Sequence, residues 1–325
     1  MGDRGGLAAL RRFYVASGVR RLLPFEAKVA LRGAWLALAR RIGYPISSPR
    51  LPRPHLARGR KRFSLGRVLL ASDLNRGYLD FWPSTRRAWK EIVGLEAVLV
   101  LVATRDQIPA ELRDDPAVIA FEPIVGVHSA LQAQCIRLLY PAIVETDCAV
   151  MIADMDLYPL RASYFRDPVE RLDERFFVVY RDNRLGRREI DIMFNAALPA
   201  TWGEIFGIAT IDDVRAELTR WTDGLEYDGR HAWPGWYTDQ KTLYEKLLSW
   251  PARSDRLWMM DDQYCRFRRL DRLELASEAG IDPSRIDGMR RLDYSDFNCF
   301  VPYSEHREIN DEVLALGLEF ARESR

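Results

Sequence analysis

Short apolar runs alternate with stretches of helical periodicity from residue 67 onwards. Continuous apolar runs are typical of strands covered on both faces, and four are predicted at 68–71, 97–103, 118–121 and 149–153. A helix over 83–93 opens with Pro83 in its first turn, and a helix over 129–140 has Ser129 as its N-cap. Strands separated by helices of this length predict an α/β fold with a Rossmann-like, mostly parallel central sheet flanked by helices.

The same two patterns continue through the second half of the chain. They predict strands at 176–180 and 190–194 and helices at 201–206, 211–220, 238–249 and 307–320. An α/β unit of about 250 residues is ordinary as a single domain, so we take residues 58–325 as one folded domain.

Residues 1–57 differ from the rest and are predicted to form a basic helical arm with a Pro-rich linker. Residues 1–67 carry 16 Lys and Arg against two acids, whereas the remainder carries 32 against 45. Two helices are predicted at 7–23 and 25–44, and the second has an apolar stripe of Leu31, Trp35, Leu38 and Ile42. Such a helix can lie on an anionic membrane, on nucleic acid or on its own acidic domain, and the stripe favours a membrane over nucleic acid.

Cysteine usage and hydropathy predict a cytoplasmic protein. The four cysteines are scattered without a CxxC pair, which indicates reduced thiols. No run of about 18 apolar residues predicts a membrane span, and no secretory signal is expected. The basic arm leaves peripheral attachment to the cytoplasmic membrane face as an option.

Two carboxylates one residue apart, Asp154 and Asp156, follow the apolar run that begins at Ala149. Ligands of open α/β sheets bind beyond the carboxyl ends of strands, and alternation points both side chains to the same side. Together they could hold a hard divalent cation that also carries phosphate oxygens. The alternative is a solvated turn after a core strand.

A second polar turn follows the first strand and contains Ala71, Asp73, Asn75 and Tyr78. A carboxylate in this place could accept the N3–H of a uracil, and the tyrosine ring could stack on the base. The alternative is a strand-to-helix turn that uses Asp and Asn for local hydrogen bonds.

These motifs, taken in order, resemble the retaining GT-A glycosyltransferases of the lipopolysaccharide-galactosyltransferase and glycogenin type. That family shows an Ala-x-Asp-x-Asn turn with a nearby Tyr, a helix with a basic residue, a DxD pair, a Phe-Asn-Ala strand and a later Asp-Gln pair. The matching residues here, besides those of the two turns, are Arg137, Phe194–Ala197, Asp239 and Gln240. The resemblance covers roughly residues 67–303 and implies a GT-A fold.

The resemblance implies a Mn²⁺ or Mg²⁺ ion on Asp156, with Asp154 in contact with the metal or with the ribose. It also implies that Arg137 neutralises the diphosphate of a nucleotide sugar, expected to be a UDP-sugar. The family supplies a third ligand from a histidine, and this sequence has Asn298 there, with His306 as the other candidate. A carbonyl oxygen from asparagine suits Mg²⁺ or Mn²⁺.

The resemblance also implies roles around the donor sugar. Asn195 and the Ala196 backbone would bind sugar hydroxyls, while Asp239 and Gln240 would lie beneath the anomeric carbon. Without the resemblance, the sequence indicates a buried asparagine that caps a strand at Asn195 and a helix N-cap at Asp239. Retention is implied by the subfamily alone, since Asp239 could equally serve as the base of an inverting enzyme.

The sequence therefore predicts a metal-dependent hexosyltransferase that moves a sugar to an acceptor hydroxyl. The aromatic loop at 230–237 is the predicted acceptor site, and the alternative is that its tryptophans pack in the core. The acceptor could be a lipid-linked glycan, a protein, a small molecule or modified DNA. Two other functions are considered: an inactive nucleotide- or polyanion-binding module of the same fold, and a metal-dependent nucleotidyltransferase. The segment 72–77 lacks the Gly-rich phosphate loop that such a nucleotidyltransferase usually carries.

Overall fold

The computed structural model describes residues 60–323, apart from 182–183, 185–186, 230–234, 261–266 and 278–279. The predicted arm helices and the Pro-rich linker lie outside the described residues, so they stay predictions. Within the described part, no helix has both the length and the apolar composition needed to cross a bilayer.

A seven-stranded sheet forms the centre, in the order β3-β2-β1-β4-β7-β6-β8. Strand β7 runs antiparallel to both of its neighbours, and every other pair in this sheet is parallel. The strands are β1 Leu65–Asp73, β2 Glu96–Val102, β3 Val118–Phe121, β4 Ala149–Ile152, β6 Phe177–Val179, β7 Asn195–Ala197 and β8 Leu257–Met259. The predicted α/β fold with a mostly parallel central sheet is confirmed.

Both faces of this sheet are buried, which explains the continuous apolar runs. Along β1, Val68 and Leu70 belong to one apolar cluster, while Leu69 and Ala71 belong to a cluster on the other face. This alternation is the two-residue period of a strand. The helices that cover the two faces supply many of the remaining core side chains, and strands outside this sheet supply others.

Twelve α-helices lie in the described residues, most of them short. They are α1 Arg76–Leu79, α2 Trp82–Ala88, α3 Ala110–Arg113, α4 Ser129–Leu139, α5 Ala162–Arg166, α6 Pro199–Phe206, α7 Ile211–Thr222, α8 Thr238–Ser249, α9 Arg253–Arg256, α10 Arg272–Leu275, α11 Pro283–Arg290 and α12 Arg307–Glu323. A π-helical turn, Trp89–Val93, extends α2, and 3-10 turns lie at Tyr140–Ile143 and Tyr303–Glu305. Helix α4 packs directly on β1 and β2.

A smaller three-stranded sheet stands beside the carboxyl end of β4. Its order is β5-β12-β9, with β5 Leu157–Pro159, β9 Arg268–Asp271 and β12 Tyr294–Asn298. Strand β12 is antiparallel to β5 and parallel to β9, which places Asn298 opposite Leu157 on one side and Asp271 on the other. A two-stranded ribbon, β10 Ala276–Ser277 and β11 Gly280–Ile281, follows α10.

The strand predicted at 190–194 is wrong. These residues form a turn, and the strand β7 begins only at Asn195. Phe194 has a φ of 58°, and the Asn195 side-chain amide donates to the carbonyls of Asp191 and Ile192. This polar turn competes with strand pairing despite the alternating apolar residues.

Candidate functional site

The acid pair lies in the connection between β4 and β5, where the large sheet meets the small one. This connection is held from both sides, because Thr85 Oγ1 donates to the Met155 carbonyl at 2.7 Å and the Cys299 N–H donates to the Asp156 carbonyl at 2.9 Å. The side chains of Asp154 and Asp156 are 23% and 20% exposed. Both carboxylates therefore reach the surface from a fixed backbone.

Arg137 of α4 is buried and links the acid pair to Asp239 of α8. Its guanidinium forms an ion pair with Asp154, and its Nη2 lies 3.5 Å from Asp239 Oδ2. It also donates to the carbonyls of Gln134 and Ala153, both at 3.4 Å. Burial lowers the pKa of Arg137, while Asp239 and Asp156 oppose that shift. A buried cation paired with two carboxylates is the expected way to accommodate such charges.

Asp156 faces a second arginine, Arg272, at the start of α10. Arg272 Nη1 lies 3.9 Å from Asp156 Oδ2 and donates to the Cys299 carbonyl at 2.6 Å. Burial raises the pKa of Asp156, and the charge of Arg272 opposes the shift. Nothing in the sequence marks Arg272 as a site residue, since it enters the site through the pairing of β9 with β12.

The pairing of β12 with β5 brings Asn298 near the acid pair, but its side-chain amide is hydrogen-bonded to another residue. Its Nδ2 donates to Asp271 Oδ2 at 3.4 Å, and it stands opposite Leu157, so Cys299 rather than Asn298 stands opposite Asp156. His306 packs against Phe300, with ring centroids 5.3 Å apart.

The donor set fits a divalent ion that is shared with a ligand. Among the described residues, no group of three or more His, Cys, Asp or Glu side chains is arranged to hold a metal. Mg²⁺ usually keeps several waters and is bound through one or two carboxylates together with substrate phosphates. Asp154 and Asp156 meet that need, and a diphosphate would complete the shell.

The turn after β1 contains both the predicted polar groups and the local hydrogen bonds of the alternative interpretation. Asp73 accepts from the Asn75 N–H at 3.0 Å and from Ser129 Oγ at 2.7 Å. Asn75 caps α1 by accepting from the Gly77 N–H at 2.9 Å. Burial raises the pKa of Tyr78, and the charge of Asp156 adds to that rise. Ala71, by contrast, lies in the core.

Asn195 and Ala196 are fully buried at the start of β7. The Asn195 amide nitrogen serves the turn before it, whereas its Oδ1 has no hydrogen-bond partner among the described residues. Ala196 pairs with Met151 on one side and Val178 on the other. Any ligand contact from β7 would therefore come from the side-chain oxygen of Asn195, Oδ1.

Asp239 and Gln240 lie in the first turn of α8 and are both buried. Burial raises the pKa of Asp239 to about 6, against the opposing effects of Arg137 and of the Gln240 N–H, which donates to Oδ1 at 2.7 Å. Gln240 Oε1 is buried and has no hydrogen-bond partner among the described residues. Buried polar atoms are nearly always paired, so this acceptor calls for a donor that the described residues do not supply.

An aromatic group borders the site, and sequence reasoning missed its central member, Tyr227. The rings of Tyr227 and Trp236 are parallel within 5°, with centroids 6.4 Å apart, and His128 meets Tyr227 edge-on at 5.1 Å. Burial, and next the charges of Cys135, Asp239 and Asp73, raise the pKa of the Tyr227 phenol. Most of the predicted acceptor loop, residues 230–234, lies outside the described residues.

Comparison with known proteins finds no matching family model and no matching curated protein. Among solved structures, the glycosyltransferase GlyE of Streptococcus pneumoniae TIGR4 is similar, with 14% identity, a TM-score of 0.42 and coverage of 80% of this chain. This chain spans 64% of GlyE, less than two thirds of its length. The galactosyltransferase LgtC, solved with donor and acceptor sugar analogues, is similar with 13% identity, a TM-score of 0.38 and coverage of 79% of this chain and 95% of LgtC. Both are glycosyltransferases, the class that the sequence motifs predict, but we base the functional proposal on the site geometry.

Proposed function

We propose that this chain is a GT-A-type glycosyltransferase that takes a sugar from a nucleoside-diphosphate donor, UDP-sugar in the first instance, and transfers it to an acceptor hydroxyl. The observation that carries the proposal is the position of Arg137 between Asp154 and Asp239. One buried cation thereby joins the strand-end acid pair to the segment expected beneath the sugar. This arrangement suits a reaction in which negative charge develops on a diphosphate as the sugar departs.

The nucleoside would lie at the carboxyl end of β1. Asp73 is held by Ser129 and by the backbone of its own turn, and Tyr78 lies in α1, directly after that turn, where it senses the charge of Asp156. A fixed carboxylate and a half-buried ring are suited to a base edge and a base or ribose face. The support for uracil over other bases comes from the motif resemblance.

A divalent ion on Asp154 and Asp156, shared with the diphosphate, would offset the charge of the leaving group. The chain's own residues hold the carboxylates in place through Arg137 and through the backbone contacts of Met155 and Asp156. Asn298 belongs to this proposal only through its carbonyl oxygen, because its amide nitrogen donates to Asp271.

The sugar would lie against the orphan acceptors Asn195 Oδ1 and Gln240 Oε1. Sugar hydroxyls are donors and would satisfy both atoms, which otherwise stay desolvated without compensation. The aromatic pair Tyr227 and Trp236 offers apolar faces for an acceptor glycan. Retention at the anomeric carbon is part of the proposal on the strength of the motif order, and proton NMR of the first-formed hydrolysis product distinguishes retention from inversion.

Nucleotide binding with the variant Asp156→Ala tests the proposal. We expect wild-type protein to bind UDP more tightly when Mn²⁺ is present, and the variant to lose that enhancement while keeping its melting temperature. Asp293→Asn, which alters an exposed carboxylate that pairs with Arg291, is the control and should keep it. If Asp156→Ala binds UDP with unchanged metal dependence, the assignment of the acid pair is wrong. If wild-type protein binds UDP yet hydrolyses no UDP-sugar, the binding-module alternative is favoured.

A further inference from the structure

Arg272 differs from the other arginines around the acid pair in how its donors are used. Arg137 is committed to two carboxylates and two carbonyls, and Arg269 to the buried Asp296. Arg272 makes one hydrogen bond, to the Cys299 carbonyl, and its other donors have no hydrogen-bond partner among the described residues. A guanidinium carries five N–H donors, so most of its capacity is unused.

The backbone around Arg272 is fixed, so this side chain is held in place. Asp271 ends β9 opposite Asn298, caps the Leu273 N–H at 2.9 Å and accepts from the Asn298 amide. The bond from Arg272 to Cys299 then directs the guanidinium across β12 toward Asp156.

Distance and exposure show what Arg272 could bind. At 3.9 Å from Asp156, its Nη1 is beyond hydrogen-bond distance, and the side chain is 35% exposed. A planar fork with spare donors at the mouth of a carboxylate pair is suited to an oxyanion that shares the site, and phosphate is the oxyanion that such forks bind in bidentate fashion.

We propose that Arg272 is a diphosphate-binding residue that faces the ligand from the small sheet, opposite Arg137, and gives nucleoside-diphosphate binding a component that needs no divalent ion. This inference rests on the proposed function and adds to it a residue and a mode of charge neutralisation. Arg272 would contact the phosphate oxygens directly, and its bond to Cys299 would hold the fork in position.

The test is UDP and uridine binding to Arg272→Ala, Arg272→Lys and wild-type protein, by calorimetry and NMR titration, in EDTA and in Mn²⁺. We expect wild-type protein to bind UDP in EDTA, and Arg272→Ala to lose about tenfold or more of that affinity, as for a charge-assisted hydrogen bond. Uridine affinity should stay the same, because uridine has no phosphate. Arg272→Lys should fall between the two, since lysine keeps the charge and loses the fork.

The control Arg291→Ala removes one positive charge from an exposed ion pair and should bind UDP as wild-type protein does. Equal UDP affinity of Arg272→Ala and wild-type protein in EDTA would overturn the inference and leave the proposed function standing. A parallel loss for uridine and UDP would also overturn it, because it would show that Arg272 only supports the fold. If wild-type protein binds none of UDP, GDP, CDP or ADP in either buffer, the proposed function itself fails.

Discussion

Asp239 is a buried acid in a crowded electrostatic environment. Arg137 and Arg184 face it with positive charge, while Cys135 and Tyr227 are the titratable groups coupled to it from α4 and from the segment after α7. Burial dominates and raises its pKa to about 6. The native state therefore holds a proton on Asp239 at pH values where an unfolded chain, with an Asp pKa near 4, has released it.

This pKa predicts a dependence of stability on pH that Asp239→Asn should remove. As the pH rises from about 4 to above 6, the native state binds more protons than the unfolded state, so the contribution of Asp239 to the free energy of unfolding falls. The loss should reach about 3 kcal/mol near neutral pH. About 2 kcal/mol of this loss falls between pH 4.5 and 7.5, and the rest falls below pH 4.5. Urea unfolding at these two pH values measures it, with the variant as reference. Parallel pH profiles for wild-type protein and variant would contradict this pKa.

The sequence predicts the site residues that local patterns mark, and it misses those that reach the site through strand pairing or packing. Asp154 and Asp156 could be found because they end an apolar run, and Arg137 because it lies one helix before them. Arg272 and Tyr227 could not, because nothing within their own segments marks them. They reach the site only through the register of β9 with β12 and through the packing of the loop before α8.

Helix α7 shows how an element begins where its sequence dictates. Thr210 and Asp213 form a capping box, in which Thr210 Oγ1 accepts from the Asp213 N–H and Asp213 accepts from the Thr210 N–H. These bonds satisfy two of the backbone groups that a helix N-terminus leaves unpaired. The predicted start at residue 211 is confirmed.

Thr210→Ala should lower the free energy of unfolding by about 1 kcal/mol, the usual cost of losing such a cap. Thr219→Ala is the matched control, since Thr219 is exposed on the same helix and its hydroxyl donates to the Arg215 carbonyl. Urea denaturation of the two variants provides the comparison. Equal losses, or no loss for Thr210→Ala, would show that the capping box does not stabilise the protein.

The elements that the sequence missed are those with little apolar pattern. Strand β9 reads Arg268-Arg269-Leu270-Asp271 and carries three charged residues, yet it pairs along β12. Its Arg269 is neutralised by Asp296 of that neighbour at 2.7 Å. Hydrophobic periodicity does not predict a strand whose charged side chains are neutralised by a residue on the neighbouring strand.

A buried ion cluster joins the two sheets of the molecule. Asp296 of β12 is fully buried and binds Arg269 of its own sheet at 2.7 Å and Arg181, which follows β6 of the central sheet, at 2.5 Å. Ser295 donates to the same carboxylate at 2.5 Å. The Asp296 carboxylate thus links the small sheet, and with it Arg272, to the central sheet.

Asp296→Asn should therefore destabilise the whole domain by about 3–5 kcal/mol, because it leaves two arginines without their anion in a buried place. Thermal and urea unfolding measure the loss. Asp293→Asn, on the same segment but in an exposed pair, should change the free energy of unfolding by less than about 1 kcal/mol. A similar small effect for both variants would show that the cluster does not join the sheets energetically.

Each end of helix α4 carries a residue of the proposed ligand site, so the helix fixes the distance between these two residues. Ser129 at its first turn holds Asp73, and Arg137 near its last turn holds Asp154 and Asp239. Eight residues at about 1.5 Å each separate the two by roughly 12 Å. Because the helix is rigid, this separation is fixed. A nucleoside alone or pyrophosphate alone would bind near one end of the helix, and only a nucleoside diphosphate would bind near both. The second contact of the nucleoside diphosphate is then intramolecular, at a high effective concentration, so its affinity should exceed what either fragment suggests.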